Sequence, residues 1–385
     1  MLNLYGPTNS LGFGIHSNNL IKALIENGKD VNLISIGEIQ LDPFYEMYFK
    51  EAIKNRDKFN VKDPSLFLFH DEFSNQACGT PLFTYSIFET SQIKPSSFNM
   101  LENGPTDIIL TTTEEHKQNL LNQKLSKPIE VVNEGVDETL FNTIPVDKYI
   151  NTNKFTYITV GKREERKNTD LAIRAFINLM KEKEVALICH TFNPFINKTQ
   201  DHPFKNLTCW AGVNPIKHGF EYKGFNGKAH LFTYKKCDIY FTVPTLPISM
   251  MPSLYHSANI GIQVSRGEGW DLPLQELLAC GVPTIATNCL GHNEYLNSNT
   301  PDIQKSLIVN KTEMTMAIDN IWFKGNQGIW DNLNIERYTE LLENTFNNST
   351  LYENKSDQLA DYISANYSWN NAVKKLSEVI ERYKR

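Results

Sequence analysis

Along the first 140 or so residues, short blocks of apolar residues alternate with stretches whose apolar positions recur every three or four residues. The blocks suit buried β-strands and the stretches suit amphipathic helices, and their alternation is the mark of parallel α/β layers. Residues 2–5 predict a strand, the turn-rich GPTNSLGFG a loop, and 18–27 a helix with Leu20, Ile21, Leu24 and Ile25 on one face. Gly28 stops that helix, and 31–36 supplies the next strand. Further strands are predicted at 66–69, 82–87, 107–111 and 130–133. The polar stretch 142–154, with Pro145 inside it, suits a linker. The pattern then restarts, with strands at 157–160, 185–190, 239–243, 260–264 and 284–287 and a helix at 170–181. Near the C-terminus, Trp369, Val373, Leu376, Ile380 and Tyr383 fall at helical spacing, as a docking helix requires.

Two such series fit the length. At 385 residues the chain exceeds the size at which one core keeps growing, so two α/β domains are expected. The reading is an N-terminal domain over 1–145, a C-terminal domain over 154–365 and a terminal helix over 366–385 that docks back toward the first domain. With 41% apolar and 21% charged residues the composition is that of a folded globular chain, and a net charge of -6 gives no global attraction to nucleic acid or anionic membrane. The six cysteines, Cys78, Cys189, Cys209, Cys237, Cys280 and Cys289, form no CxxC pair and read as reduced thiols. No signal peptide or apolar run of membrane-spanning length is seen, and a cytoplasmic location is expected. The Asn-x-Thr triplet at 197–199 is read as unmodified on the same ground.

The stretch SANIGIQVSRGEGWDLPLQELLACGVPTIATNCLGHNEYL carries the most chemistry: it reads as strand, glycine-bearing loop, helix and strand. Asp271 is placed to cap the helix, Pro273 suits its first turn and Gly281 its end. The amides of Gly269, Trp270, Asp271 and Leu272 then lie at or near a helix N-terminus, where anions and polar ligands are favoured. Glu268 and Glu276, separated by seven residues, can face one crevice. Two carboxylates repel phosphate but accept sugar hydroxyls well, so the predicted division of labour is hydroxyls to the glutamates and phosphate to the amides. A second constellation, GKREERKN, follows the strand at 157–160 and so also lies at a sheet edge. No Asp-x-Asp motif and no histidine- or cysteine-rich cluster appears, so lysine, arginine and helix amides are expected to meet the phosphate charge without a metal.

These motifs resemble the glutamate, seven residues, glutamate signature of retaining glycosyltransferases of the GT-B type, family 4 (group 1) in particular. VVNEGVDETLF, TVGKREERKNTDLAIRAF and SWNNA resemble further segments of that family, so the likeness spans nearly the whole chain. The resemblance implies two Rossmann-like domains with parallel sheets facing across a cleft, and transfer of a sugar from a nucleotide diphosphate sugar with retained anomeric configuration and no further cofactor. It places Glu268 on the donor sugar's hydroxyls, Glu276 on the ribose, and Lys162 and Lys167 on the diphosphate. Lysine at 162 departs from the family's arginine and loses the planar fork, which leaves Arg163 and, ahead of it, Arg166 as alternative phosphate contacts.

In the first half, Gly12-Phe13-Gly14 can bring amides close to phosphate, and Ser17 in place of a last glycine argues against a dinucleotide-binding dehydrogenase. PLFTYSIFETSQI resembles the segment in which the family often carries an acceptor-side histidine; Glu89 stands there, suited to bind acceptor hydroxyls, take a proton or cap the next turn. His16 and His70 read as structural. The acceptor is open between a saccharide, lipid or small molecule and DNA, the latter suggested by residues 210–236, where Lys217, Lys223, Lys228, Lys235 and Lys236 interleave with Trp210, Phe220, Tyr222, Phe225, Phe232 and Tyr234. A phage-type DNA-modifying transferase is therefore one alternative, and a non-catalytic nucleotide-sugar or carbohydrate-binding protein is another. A phosphorylase-like enzyme fits less well, because the chain is short and shows no pyridoxal-phosphate lysine context.

Overall fold

A computed structural model describes residues 1–192, 215–243, 245–319, 321–325 and 327–384. The triplet at 197–199, Cys209 and Trp210 lie outside the described residues. The N-terminal half holds strands β1 (Leu2–Gly6), β2 (Val31–Ser35), β3 (Ser65–Phe67), β4 (Leu82–Tyr85), β5 (Ile108–Thr111) and β6 (Ile129–Val131). They form one parallel sheet in the order β2-β1-β3-β4-β5-β6. Strands β1, β3, β4 and β5 are buried at every position, as helix-covered parallel strands must be, which is why they read as apolar blocks rather than alternating ones.

The first helix, Gly12–Glu26, starts six residues before the predicted one. Gly12 and Gly14 are thus its first turn and not a loop. Asn9 explains the early start: its side chain accepts from Leu11 N, and Gly14 packs so tightly on Asn9 that a Cβ would collide with it.

In the second half, β7 (Phe155–Lys162), β8 (Val185–Phe192), β9 (Glu221–Phe225), β10 (Ala229–Tyr234), β11 (Cys237–Thr242), β12 (Ile260–Gln263), β13 (Thr284–Thr287) and β14 (Ile308–Val309) form a sheet in the order β14-β13-β12-β7-β8-β11-β10-β9. The six strands from β14 to β11 are parallel, while β10 and β9 add an antiparallel edge. From β7 the chain winds outward through β8 and β11, then returns to place β12 on the other side of β7. The carboxyl ends of β7 and β12 therefore flank a switch point, the place where an open α/β sheet leaves a crevice for ligands. A separate hairpin, β15 (Lys311–Met316) and β16 (Ile329–Leu333), lies beyond β14.

The helix Trp369–Tyr383 is capped by Ser368, whose side chain accepts from Asn371 N. It buries Trp369, Val373 and Leu376, and it runs back along the first half. Trp369 meets the His16 ring at 5.1 Å, and Arg382 pairs with Glu130 at 2.6 Å. Among the described residues, no helix is long and apolar enough to cross a membrane.

Candidate active site

The loops that leave β7 and β12 are stitched together at the switch point. Arg266 N donates to the Arg166 carbonyl at 2.8 Å, the Arg266 side chain to Asn168 Oδ1 at 3.0 Å, and Asn168 Nδ2 to the Val264 carbonyl at 3.1 Å. Within this framework one residue of the charge run is fully buried: Arg166 is 2% exposed. Its guanidinium is the hub of the site. Nη1 lies 2.7 Å from Glu268 Oε2 and 2.8 Å from the Gly267 carbonyl; Nη2 lies 3.1 Å from Glu89 Oε1 and 3.2 Å from Glu164 Oε2. A planar fork facing four oxygens orients carboxylates from three segments at once.

Lys167 completes the clamp on Glu268, with Nζ 2.7 Å from Oε1 and 3.1 Å from Asp271 Oδ1. Burial alone would raise the Glu268 pKa, but Arg166 and then Lys167 hold it well below the usual carboxylate range, so Glu268 is ionised. Burial likewise opposes the Lys167 charge; Asp271 and Glu268 outweigh it and raise that pKa. Lys162, the last residue of β7, is 30% exposed and pairs with Glu164 at 2.7 Å. Arg163 points elsewhere, into an ion pair with Asp170.

Glu276 lies in the helix Leu272–Ala279, buried and without a cation beside it. Its Oε2 accepts from the Tyr255 hydroxyl at 2.5 Å. Burial pushes its pKa up to about 8 against the opposing effect of that hydrogen bond. The helix begins as the sequence predicts, with Pro273 in its first turn, but Asp271 does not cap it. Asp271 takes a left-handed conformation, φ 76°, and turns its carboxylate to Lys167 and to His292 Nε2, the latter at 3.0 Å. Trp270 sends its ring into the core, where Nε1 donates to Gln275 at 2.9 Å, so only its backbone faces the loop. Leu272 is buried too.

The first half meets this loop directly. Thr112 Oγ1 donates to the Gly269 carbonyl at 2.6 Å, and Trp330 of β16 donates to the Glu89 carbonyl at 3.0 Å. Gly267 and Gly269 are glycines because of this approach: a Cβ at 267 would strike the Glu89 carbonyl and one at 269 the Ile87 side chain. The structure thus brings together Glu89, Glu164, Arg166, Lys167, Glu268 and Asp271. It keeps His16 apart, buried between Tyr85 and Trp369 with Glu134 at 3.4 Å, and His70 apart, against Phe13 and Phe69.

Sequence reasoning missed Glu164, His292, Tyr255, Thr112 and Trp330. The Glu164 signal was present in the charge run itself; the others come from segments distant in sequence, and nothing local marks them. It also missed that Glu268, Asp271 and His292 bring ligand atoms within 4.8 Å of one another, the spacing of a metal site. The Lys167 ammonium already bridges the two carboxylates of that group.

In the 210–236 stretch, Lys223, Lys235 and Lys236 pair with Glu221, Glu182 and Glu184, and Lys228 donates to the Tyr149 carbonyl. Phe220 and Phe232 are buried, while Phe225 is half exposed.

Residues 141–322 match the family model for glycosyl transferases group 1. No curated protein matches the sequence. Among solved structures, the chain is similar to sucrose-phosphate synthase from Thermosynechococcus elongatus at 12% identity, with 99% of this chain and 98% of that one covered and a TM-score of 0.64. It is similar to Anabaena HepE in complex with UDP-glucose at 10% identity, with 99% of both chains covered and a TM-score of 0.64. A glycosyltransferase from Rickettsia africae aligns at 15% identity over 99% of this chain and 98% of that one, with a TM-score of 0.63. The chain thus has the GT-B fold of two Rossmann-like halves, and residues 141–322 carry its match to the glycosyl transferases group 1.

Proposed function

We propose that this protein is a retaining, metal-independent glycosyltransferase that moves a sugar from a nucleoside diphosphate sugar to a hydroxyl of a saccharide, lipid or small-molecule acceptor. The observation that carries the reading is the clamped carboxylate: Glu268, ionised between Arg166 and Lys167 at the carboxyl edge of β7 and β12, with Glu276 deeper in the following helix. Glu268 accepts from the donor sugar's hydroxyls while Lys167, Lys162 and the amides of 269–272 take the diphosphate. Glu276 anchors the ribose. Arg166, whose two terminal nitrogens face four oxygens, acts chiefly by orienting Glu268 and Glu89. As the bond to phosphate breaks, charge grows on the leaving diphosphate, and fixed cations there stabilise the transition state without reorganising. Glu268 has both oxygens held by cations and is a poor nucleophile, which favours a front-face route over double displacement. The leaving phosphate then helps to deprotonate the acceptor hydroxyl. Glu89, about one-third exposed on the first-half side, binds that acceptor. Gly12 and Gly14, in the first turn of a long helix, add amides toward the donor phosphate.

HepE was solved with UDP-glucose, which supports a nucleoside diphosphate sugar as donor. The lysines paired along 221–236 give the DNA alternative no support. The test is nucleotide release from a panel of nucleoside diphosphate sugars in excess chelator, with and without DNA. Release without added metal is expected. Tight nucleotide binding with no turnover would favour a non-catalytic binding protein; turnover that appears only with a divalent ion would overturn metal independence.

A further inference from the structure

Asp271 is the one residue of the donor loop that holds a strained backbone. At φ 76° and ψ 72° it lies in the left-handed region, which glycine adopts freely and a residue with a Cβ adopts only at an energetic cost. Such strain persists where the side chain has a task, and here the side chain is buried and doubly engaged. Oδ1 lies 3.1 Å from Lys167 Nζ and Oδ2 lies 3.0 Å from His292 Nε2. His292 is itself fixed: Nδ1 lies 2.8 Å from the Thr287 carbonyl, which only accepts, so Nδ1 carries a proton. The contact between Nε2 and Oδ2 then needs one further proton between them. Whichever atom holds that proton, Asp271 and His292 together are electrically neutral. The pair therefore adds no net charge beside Lys167, while the Asp271 oxygen 3.1 Å from Nζ constrains where the ammonium sits.

We propose that the Asp271–His292 pair is a positioning device that aims Lys167 at the donor's diphosphate without cancelling its charge. The inference rests on reading Lys167 as a diphosphate contact. It makes Asp271 and His292 positioning residues, since both act through Lys167.

Two variants separate position from charge. Asp271→Gly relaxes the backbone and deletes the tether, and because the pair is neutral it leaves the net charge near Lys167 unchanged. We expect turnover to fall about tenfold or more with the donor KM moved less than about threefold. His292→Gln still donates to Asp271 but removes the shared proton, which leaves an added anion beside Lys167. We expect weaker binding of uridine diphosphate by calorimetry and a donor KM raised about tenfold, with a smaller effect on turnover. Nucleotide release is measured with the fastest donor of the panel, and thermal unfolding shows whether each variant is folded. A merely structural pair would move both constants together in both variants, and that result overturns the proposal. Lys167→Met is the reference. If it matches wild type, the donor-site reading fails and this inference fails with it. If Lys167→Met loses turnover while Asp271→Gly matches wild type in both constants, the donor site stands and the positioning role alone is lost.

Discussion

Glu268 and Glu276 are both buried, have seven residues between them in sequence, and end in different charge states. Glu268 lies between two cations and stays ionised; Glu276 has a tyrosine hydroxyl and is held up near neutral pH. Burial acts on both in the same direction. What differs is the second loop, because Arg166 and Lys167 come from the end of β7 to Glu268, whereas Glu276 faces Tyr255 of a short helix, Met251–Tyr255. The comparison teaches that the switch point sets the charge: the carboxylate between the two loops is held ionised, which suits the hydroxyl ligand proposed for it, and the one behind it in the helix is held protonated near neutral pH, as the proposed ribose anchor.

The largest effect is expected from removing a cation on the Glu268 side. Lys167→Met should lower turnover on the order of a hundredfold, about 3 kcal/mol, as loss of one preorganised charge at a leaving group does. It should also make Glu268 more like Glu276 by letting burial act less opposed. Lys162 is partly exposed and shares Glu164 with Arg166, so Lys162→Met should lose about tenfold, and Lys162→Arg should retain substantial activity. Turnover near wild type in both methionine variants at saturating donor would remove the phosphate roles and turn attention to Arg166.

The carboxylates themselves should split kinetically. Glu268→Ala removes a contact that strengthens as charge develops and should reduce turnover by tens of fold. Glu276→Ala removes an anchor felt equally by ground and transition states and should raise the donor KM about tenfold with turnover little changed. Equal signatures in the two variants would erase the distinction drawn here.

Much of this was legible in the chain. Strands β1 to β8 and β11 to β13 announce themselves as apolar blocks, and the terminal helix, Trp369–Tyr383 within the expected 366–385, is legible because five apolar residues fall on one face. Edges were not legible. Strand β14 has two residues, and β9 alternates exposed and half-buried positions at a sheet edge, so neither produces an apolar run. At the site, Glu268, Glu276 and Lys167 stand out through spacing and position. The burial of Arg166 within GKREERKN was not legible, because a charge run carries no local sign of burial; Glu89 and Glu268 from other segments, with Glu164 of the run itself, surround its guanidinium. Asp271 was read as a cap because residue type and position suit one; its partner His292 is brought in by a later strand and turn that local pattern does not link to the loop.

The smallest effect concerns stability and tests the charge states directly. Free carboxylates titrate near 4.3, and Glu276 in the folded protein is raised to about 8, so the folded state holds this proton more tightly than the unfolded chain. Its contribution is full below about pH 4.3 and is lost as pH rises through about 8. Glu268 has the opposite sign: its folded value is depressed, so its contribution is present above about 4.3 and is lost only as pH falls through that lower value. Glu276→Gln keeps a neutral acceptor for Tyr255 and cannot ionise. The difference in unfolding free energy between the variant and wild type should therefore shift in the variant's favour by about 1 kcal/mol between pH 6 and pH 7, close to the limit for one proton. Urea unfolding at the two pH values measures it, and other titrating groups cancel in the difference. A difference that stays flat would mean that Glu276 is ionised like Glu268, and the contrast between the two carboxylates would collapse into a single charged crevice.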